Sequence, residues 1–337
     1  MVWPKVVKPA IVTFSHVESL ALGLGGQFDQ GLVYRYNLLN PMRTRERLNL
    51  PASMTDELTP KVKGSLLPWM ITEVRGKSTK QAPASVVIEE PLEIRINDQP
   101  VAVLMRTPGA EKELAVGFCL SEGLIADLAD IALVHHCGQA LPTLMEDREA
   151  DLEESRNMVR ITLALPSASR DPRLDIVRLV RSGCGRTNAE ELASQLVPLD
   201  NDLRVQGKIL LNLTSSIKQQ QEAYREAGGI HAAGIFTSHG ELVTMREDIG
   251  RHNAVDKVLG HCLMQGITLK DKILVSTGRA SYEMVTKAVR LGLPVAASLS
   301  SPTSLAVELA EYLNCTLIGY LRGQRMRVYT HAWRLEG

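Results

Sequence analysis

The sequence predicts a layered α/β fold, and three observations support this prediction. Predicted strands and helices alternate through the C-terminal half of the chain, which is the pattern of helices packed on a sheet. Hydrophobic residues make up 45% of the chain and charged residues 23%, a balance typical of globular proteins that excludes wholesale disorder. The 337 residues are about twice the length of a usual single domain, so we expect two compact units.

The N-terminal segment differs in composition from the rest of the chain. Residues 1–80 contain 11 Lys and Arg but only 6 Asp and Glu, together with six prolines. Because the whole chain has a formal net charge of +0, the remaining residues carry the compensating negative charge. The segment shows no sustained helical or strand period. We therefore predict an irregular or disordered basic extension over residues 1–80, with regular structure starting near Val86.

The next part of the sequence is richer in strands. Apolar patterns predict strands over 86–88, 92–97, 101–105 and 158–165. Asn97–Asp98 marks a turn between two of these strands. Thr107 as the cap and Pro108 in the first turn predict a helix that ends at Gly123. The segment 171–181 fits a helix and a strand equally well. These elements indicate a smaller α+β domain over residues 81–180.

The C-terminal part alternates more regularly between the two kinds of element. Strands are predicted over 230–236, 242–245, 272–276, 295–299, 316–321 and 326–330. Helices are predicted over 253–264, 282–291 and 304–313. Because helices follow strands in turn, we predict a layered α/β domain over residues 181–337.

The composition excludes several classes of function. Lys+Arg and Asp+Glu are equal at 38 each, so no bulk attraction to nucleic acid or to an anionic membrane is expected. Aromatic residues are only 4% of the chain, too few to suggest stacking platforms for single-stranded nucleic acid. No apolar run approaches the roughly 18 residues that a spanning helix needs. We therefore expect a soluble, cytoplasmic protein without nucleic-acid or membrane partners.

One cysteine stands in a setting that favours a reactive thiolate. The chain has five cysteines, at positions 119, 137, 184, 262 and 315. Their odd number, their wide spacing and the lack of a C-x-x-C pair argue against a disulfide framework and a structural zinc site. Cys184 lies between two glycines, with Arg186 close by, just before a predicted helix. A helix N-terminus and a neighbouring arginine lower the pKa of a thiol, so Cys184 is the candidate nucleophile.

Two histidines are candidates for orienting a ligand or transferring a proton. His231 follows Gly228–Gly229 and precedes small residues, which allow a ligand to approach the backbone closely. A buried histidine with satisfied hydrogen bonds is the alternative interpretation. His252 lies in the charged segment Arg246–Lys257, where charges of both signs surround Gly250. For this segment a polar network and a solvated loop both remain open.

Three loops have the composition of anion sites. A predicted strand runs into Ser276, Thr277, Gly278 and Arg279 before a helix begins. The loop Ser300–Ser304 follows the next strand, and two such loops on neighbouring strands indicate a phosphate-bearing ligand. A glycine turn with two arginines, suited to phosphate or guanine, is formed by Tyr320, Leu321, Arg322, Gly323, Gln324 and Arg325. Neither G-x-x-x-x-G-K-[ST] nor G-x-G-x-x-G is present, which excludes an ordinary nucleotide motif.

Together these motifs resemble the FdhD family of formate dehydrogenase accessory sulfurtransferases. The resemblance is carried by Glu90–Asn97, Arg106–Gly109, Gly117–Phe118, Ser121–Gly123, Gly229–His231, Glu247–Lys257, Ser276–Arg279 and Leu321–Gly323. It covers about residues 84–332, and the string Glu247–Lys257 is long enough to be highly specific. The resemblance implies a cytidine-deaminase-like fold for the C-terminal domain, which would carry the sulfur-transfer loop and the cofactor site. It also implies a homodimer.

The function implied by the resemblance is sulfur transfer. A family member takes sulfur from a cysteine desulfurase as a persulfide. It delivers that sulfur to the molybdenum cofactor, Mo-bis(molybdopterin guanine dinucleotide), before the cofactor is inserted into formate dehydrogenase. The segment Tyr320–Arg325 matches the cofactor-binding stretch of the family. Arg279, Arg322 and Arg325 would then hold the phosphates and guanine of the cofactor.

The resemblance also assigns the sulfur-carrying residue. The C-G-x-C loop of the family falls on Cys184–Thr187, so Cys184 matches the persulfide cysteine and Arg186 would steady the persulfide anion. Thr187 replaces the second cysteine, which leaves a relay with a single thiol. A non-catalytic chaperone that only binds the cofactor and formate dehydrogenase therefore remains an alternative. A zinc deaminase does not, because His231-Ala232-Ala233 lacks the glutamate of H-x-E and no P-C-x-x-C occurs.

Overall fold

The first element of the structure is a long β-hairpin. The computed structural model describes residues 64–136, 156–164 and 189–336. Strands β1 (Leu66–Arg75) and β2 (Ser78–Val87) pair antiparallel along their whole length. This corrects the expectation of irregular chain for residues 66–80, which are almost entirely strand, whereas residues 1–63 of the predicted extension lie outside the described residues. Most side chains on both faces of the hairpin are partly or fully exposed, so the sequence carries no polar–apolar alternation that would have revealed the strands.

A four-stranded sheet covered by one helix follows the hairpin. Its elements are β3 (Glu90–Ile96), β4 (Gln99–Arg106), α1 (Glu111–Ser121), β5 (Ile131–His136) and β6 (Met158–Leu163), and its strand order is β4-β3-β6-β5. Alternate residues of β3 are fully or almost fully buried with α1 in one core. The predicted turn is confirmed, since Asn97 and Asp98 have φ values of 46° and 64°. Helix α1 begins at Glu111 rather than near Thr107, because Gly109 and Ala110 have positive φ and interrupt the chain there.

The C-terminal part is built on a six-stranded sheet. Its elements in chain order are α2 (Ala189–Ala193), β7 (Val205–Gln206), α3 (Gly207–Gln220), α4 (Glu222–Ala227), β8 (His231–Thr237), β9 (Leu242–Asp248), α5 (Arg251–Met264), β10 (Lys272–Ser276), α6 (Tyr282–Arg290), β11 (Val295–Ser298), α7 (Ser304–Tyr312), β12 (Thr316–Arg322), β13 (Arg325–Val328) and β14 (Leu335–Glu336). The strand order is β13-β12-β11-β10-β8-β9. Strands β10, β11 and β12 are parallel, and the other pairs are antiparallel.

Helices lie on both faces of this sheet. Alternate strand residues divide between two cores: Leu274 faces α5, α6 and α7, whereas Ile273 and Val275 face α3. The mixed α/β class is therefore confirmed, with helix α3 as an element that the sequence analysis did not predict. The strands and helices of the C-terminal sheet otherwise fall within a few residues of their predicted positions. None of the helices in the described ranges is long and apolar enough to cross a membrane. The domain boundaries at 80 and 180 stay predictions.

Helices α1 and α5 cross with almost no space between their backbones. A Cβ atom on Gly117 would overlap the carbonyl oxygen of Asp256 and lie 2.9 Å from the nitrogen of Gly260. A Cβ on Gly260 would in turn overlap the carbonyl oxygen of Glu113. The helices can cross this closely only because both positions are glycine. The contact joins the helix of the four-stranded sheet to the helix that precedes β10.

A buried ion-pair network lies beside this crossing. The Lys287 ammonium of α6 is 2.9 Å from both carboxylate oxygens of Asp256 on α5 and donates to the Ser121 hydroxyl of α1 at 2.9 Å. Glu122 adds a second carboxylate at 2.6 Å. Burial disfavours the charged ammonium, but the carboxylates of Asp256 and Glu122 outweigh burial and raise the pKa of Lys287. The network therefore ties three helices together through the buried pair Lys287–Asp256, which solvent does not screen, whereas Glu122 is partly exposed.

The close crossing predicts a large penalty for a single methyl group. We expect Gly117→Ala to lower the free energy of unfolding by on the order of 3 kcal/mol, because the two helices must move apart. Gly207→Ala is the control, since a Cβ there would meet its nearest atoms at 3.6 and 3.7 Å, an ordinary contact. Urea denaturation of both variants measures the difference. Equal stability of the two variants would show that the helices are not held this closely.

The buried network predicts strong coupling between its members. Lys287→Met should cost about 3–5 kcal/mol of stability, because it leaves the Asp256 carboxylate buried without its cation. The double variant Lys287→Met/Asp256→Asn should be more stable than Lys287→Met alone, since it removes the orphaned charge. Denaturation of the single and double variants measures the coupling. Additive losses would contradict an ion pair at this position.

Candidate functional site

The candidate site lies at one edge of the six-stranded sheet. The parallel strands β10, β11 and β12 end at this edge, where β8 begins and β9 ends. Helices α5, α6 and α7 all begin there, at Arg251, Tyr282 and Ser304. The N-caps of α5 and α6, Gly250 and Ser281, have no side-chain capping bond. The uncapped N-termini of α5 and α6 therefore make this edge electrostatically positive and suited to an anion, whereas α7 is capped by the Thr303 hydroxyl, which accepts from the Ala306 nitrogen.

The loop after β10 is held by a dense set of hydrogen bonds. The backbone nitrogen of Thr277 donates to the Ala232 carbonyl, and the Ala232 nitrogen donates to the Thr277 hydroxyl, each at 2.9 Å. The Gly278 nitrogen donates to the Ser276 hydroxyl at 3.2 Å, while the Ser298 hydroxyl of β11 donates to the Gly278 carbonyl. The loop is therefore rigidly positioned.

The two loops that the sequence analysis placed on neighbouring strands do lie together. The Ala280 nitrogen donates to the Ser301 carbonyl at 3.2 Å, and Ala280 forms a parallel bridge with Pro302. Within the first loop Ser276 and Gly278 are buried, Thr277 is partly buried and Arg279 is exposed. Arg279 is thus the member of this loop whose charge is most accessible to a ligand.

Both candidate histidines are at the same edge. His231 is the first residue of β8, and its Nδ1 lies 3.3 Å from the Thr277 hydroxyl. His252 lies in the first turn of α5, with Nε2 at 3.2 Å from the Ser281 hydroxyl and from a Glu283 carboxylate oxygen. Both rings also lie within reach of the Arg251 charge. The structure therefore brings together residues that are separated by 21 positions in β8 and α5.

Both imidazoles favour the neutral form. Burial is the largest cause, and the nearby Arg251 guanidinium adds to it, so the pKa of His231 is lowered and that of His252 falls to about 4. The Glu122 carboxylate acts in the opposite direction on the pKa of His252, but it does not outweigh burial and the nearby cations. A neutral imidazole keeps one nitrogen free to accept a proton or a hydrogen bond.

The arginine-rich turn lies next to the second loop. The Tyr320 nitrogen donates to the Ser300 carbonyl at 2.9 Å, and Arg322 Nε donates to the Leu299 carbonyl at 2.6 Å. Tyr320 has a φ of 52° at a bulge in β12, and the Arg327 guanidinium stacks 4.5 Å from the centre of its ring. Arg322, Gly323, Gln324 and Arg325 are exposed around the turn, whereas Leu321 is fully buried in the core. Leu321 therefore supports the turn from below.

The charged segment Glu247–Lys257 forms a polar network rather than a solvated loop. The Asp248 carboxylate is fully buried and lies 2.7 Å from the Lys257 ammonium. It also accepts hydrogen bonds from the nitrogen of Thr107, the nitrogen of Gly250 and the amide of Asn253. This network fixes the chain that leads from β9 into α5.

Most residues of the segment Glu247–Lys257 thus have a structural role. The Glu247 carboxylate caps α4, accepting hydrogen bonds from the nitrogens of Ala223 and Tyr224 at 3.0 Å each. Within the string, Arg251 and His252 are the residues whose side chains lie at the site edge. The sequence analysis singled out His252 but not Arg251. The signal that could have identified Arg251 was its position as the first helical residue after Gly250.

Two predicted site residues cannot be placed at this edge, because Cys184 and Arg186 lie outside the described residues. Three other cysteines, Cys119, Cys262 and Cys315, are buried. Burial raises the pKa of each thiol, to about 11 for Cys262 and about 12 for Cys315, and it also raises that of Cys119. These three thiols are poor nucleophiles at neutral pH.

The depressed pKa of His252 predicts a component of acid sensitivity. The unfolded chain binds a proton at this residue below about pH 6.5, whereas the folded chain does so only near pH 4. Stability from this residue is therefore complete above pH 6.5 and is lost as the pH falls to 4. Between pH 7 and pH 4.5, the free energy of unfolding of His252→Gln should therefore fall by on the order of 2 kcal/mol less than that of wild type. His239→Gln, in an exposed turn, should behave like wild type. Denaturation at pH 7 and pH 4.5 provides the measurement, and parallel curves for wild type and His252→Gln would contradict the expectation.

Comparison with known proteins identifies relatives that match most of the chain. A profile of the FdhD/NarQ family matches residues 87–336. A protein of Streptomyces coelicolor named Sulfur carrier protein FdhD is 38% identical over 276 residues, which are 79% of this chain and 94% of that protein. A protein of the same name from Saccharolobus solfataricus is 36% identical over 254 residues, 74% of this chain and 90% of that protein.

A solved structure supports the same relationship at the level of the fold. It is a crystal structure from Desulfotalea psychrophila, described as a formate dehydrogenase accessory protein. The TM-score is 0.63 at 23% identity, and the match covers 81% of this chain and 100% of that chain. Because the family profile and the sequence relatives both extend over most of the chain, the protein belongs to the FdhD/NarQ family.

Proposed function

We propose that this protein is a sulfur carrier that serves formate dehydrogenase. Relatives at 38% and 36% identity are named sulfur carrier proteins, and the structural relative is described as a formate dehydrogenase accessory protein. In this proposal the chain accepts sulfur from a cysteine desulfurase and passes it to the molybdenum cofactor before that cofactor enters formate dehydrogenase. The sulfur acceptor, Mo-bis(molybdopterin guanine dinucleotide), is the substrate.

The observation that carries this proposal is the positive edge of the six-stranded sheet. The cofactor bears phosphate groups and two guanines, and the edge offers free helix N-termini and exposed arginines for them. The Thr277 hydroxyl and the Arg279 charge would contact the cofactor, and Ser276 and Gly278, which are buried and bonded to each other, would hold the loop that presents them. Arg322 and Arg325 would hold phosphate or guanine from the other side, beside the ring of Tyr320 and the amide of Gln324.

In the sulfur-transfer step we assign the central role to Cys184. Its thiolate attacks the outer sulfur of the desulfurase persulfide, the sulfur–sulfur bond of that persulfide breaks, and the desulfurase cysteine leaves as a thiolate. Cys184 then carries the persulfide, and no net oxidation or reduction has taken place. Arg186 stabilises the persulfide anion. Because Cys119, Cys262 and Cys315 are buried with raised pKa values, only Cys137 and Cys184 remain as reactive candidates.

The same proposal includes features of fold and assembly. We assign the six-stranded sheet and its helices to the cytidine-deaminase-like class, supported by the antiparallel pair β9–β8 beside the parallel strands β10, β11 and β12. The chain is proposed to act in the cytoplasm as a homodimer. The homodimer rests on the family resemblance, and the cytoplasmic location rests on the sequence, which contains no apolar run of spanning length.

The assignment of Cys184 predicts loss of sulfur loading in one variant. Wild type incubated with a cysteine desulfurase and ³⁵S-labelled cysteine should acquire a protein-bound label that dithiothreitol releases. Cys184→Ser should acquire at least 100-fold less label, because the variant lacks the attacking thiolate. In a cell that lacks the native protein, expression of Cys184→Ser should fail to restore formate dehydrogenase activity.

Controls distinguish this relay from the two alternatives. Cys262→Ser removes a buried thiol and should load sulfur like wild type. If sulfur loading depends on Cys137 and not on Cys184, the sulfur-carrying residue is Cys137. Full restoration of formate dehydrogenase by Cys184→Ser would favour a chaperone that binds the cofactor without carrying sulfur, an alternative that the presence of Thr187 in place of a second loop cysteine supports.

A further inference from the structure

Arg251 occupies the centre of the candidate site, although the sequence analysis gave it no role. It is the first residue of α5, a helix of 14 residues whose N-cap, Gly250, offers no side chain. Its aliphatic stem lies across Gly278 in the loop after β10. A Cβ atom on Gly278 would be 2.7 Å from Arg251 Cδ and 2.8 Å from Arg251 Cβ. Only glycine at 278 leaves room for the arginine, so the two residues position each other.

The guanidinium of Arg251 lacks the partners that its burial calls for. Its Nε is buried and has no hydrogen-bond partner among the described residues. Within the same ranges, no carboxylate lies within ion-pair distance of it. The acidic groups around the two histidines already have other partners: Asp248 lies 2.7 Å from Lys257, Glu122 lies 2.6 Å from Lys287, and Glu283 lies 3.2 Å from His252. A partly buried arginine without an anion is unusual, because its charge is normally paired.

The surroundings of Arg251 add positive potential. Helices α5 and α6 begin at this edge without a side-chain cap, and their free amides place partial positive charge there. The field of Arg251 reaches both His231 and His252, where it disfavours the imidazolium form. The edge therefore concentrates cationic groups that repel one another until an anion binds.

We propose that Arg251 is a binding residue of the site and donates hydrogen bonds to a phosphate group of the sulfur acceptor. The inference rests on the proposed function and deepens it, because it names the cation that anchors the substrate. A guanidinium presents a planar fork of donors that matches two phosphate oxygens, which a single ammonium cannot do. Gly278 holds this fork in place through its contact with the stem, and His231 and His252 flank it as neutral groups.

Binding of simple phosphate ligands tests this inference. Inorganic pyrophosphate and GDP are the probes, measured by isothermal titration calorimetry on the full chain. We expect Arg251→Gln to weaken both by about 10- to 100-fold, the effect of losing a charge-assisted hydrogen bond. Arg251→Lys should bind with intermediate affinity, since it keeps the charge but not the fork. Arg95→Gln, on the outer face of β3 and paired with Glu93, is the control and should bind like wild type.

A second variant separates position from charge. Gly278→Ala keeps Arg251 but displaces its stem, so it should also weaken pyrophosphate by about 10-fold or more. The pKa of His252, followed by NMR titration, should rise in Arg251→Gln because a neighbouring cation has been removed. This change shows that the variant is folded and that the site has lost its central charge. If Arg251→Gln is unfolded, the comparison rests on Arg251→Lys and Gly278→Ala.

The outcomes distinguish the inference from the function on which it rests. If wild type binds pyrophosphate and GDP and Arg251→Gln binds them equally well, the role of Arg251 is wrong and the proposed function stands. If wild type binds neither probe, both the proposed cofactor site and the role of Arg251 are wrong. Binding of pyrophosphate alone supports the Arg251 contact and removes the guanine contacts from the proposal.

Discussion

The backbone contact between α1 and α5 is the constraint on which the rest of the arrangement depends. Because Gly117 and Gly260 leave no room for side chains, the helix of the four-stranded sheet lies directly against the helix that leads to the site. That closeness brings Ser121 within reach of Asp256 and Lys287. It also sets the position of the first turn of α5, which carries Arg251 and His252. A displacement at the crossing would therefore be transmitted to the edge of the sheet.

Charge is distributed unequally between the interior and the edge of the protein. Inside, the two buried carboxylates Asp248 and Asp256 each have a cation at close range, in the pairs Asp248–Lys257 and Asp256–Lys287. At the edge, arginines and helix N-termini lie together, and Arg251 has no acidic partner among the described residues. The buried pairs hold the frame, and the unbalanced edge is left for a ligand. The segment Glu247–Lys257 therefore has two roles: its buried carboxylates hold the frame, and Arg251 presents a charge at the site.

The sequence predicted the C-terminal sheet well, because its buried strands read as continuous apolar runs bounded by glycines and polar turns. It did not predict the hairpin β1–β2, whose exposed faces lack alternation, or the start of α1, which depends on positive φ at Ala110. At the site, loops on neighbouring strands were correctly expected to lie together. Arg251 was missed because its importance arises from contact with Gly278, a residue 27 positions away that no local pattern connects to it.

The three buried cysteines have a consequence for a protein that handles reactive sulfur. The outer sulfur of a persulfide passes readily to any accessible thiolate, so every exposed cysteine would be a competing acceptor. Cys119, Cys262 and Cys315 are closed to this exchange by burial, which removes access and thiolate together. In a sulfur carrier, packing of the core thereby prevents these three cysteines from accepting sulfur from the persulfide. The hydrophobic interior thus withholds three of the five thiols of the chain from sulfur exchange.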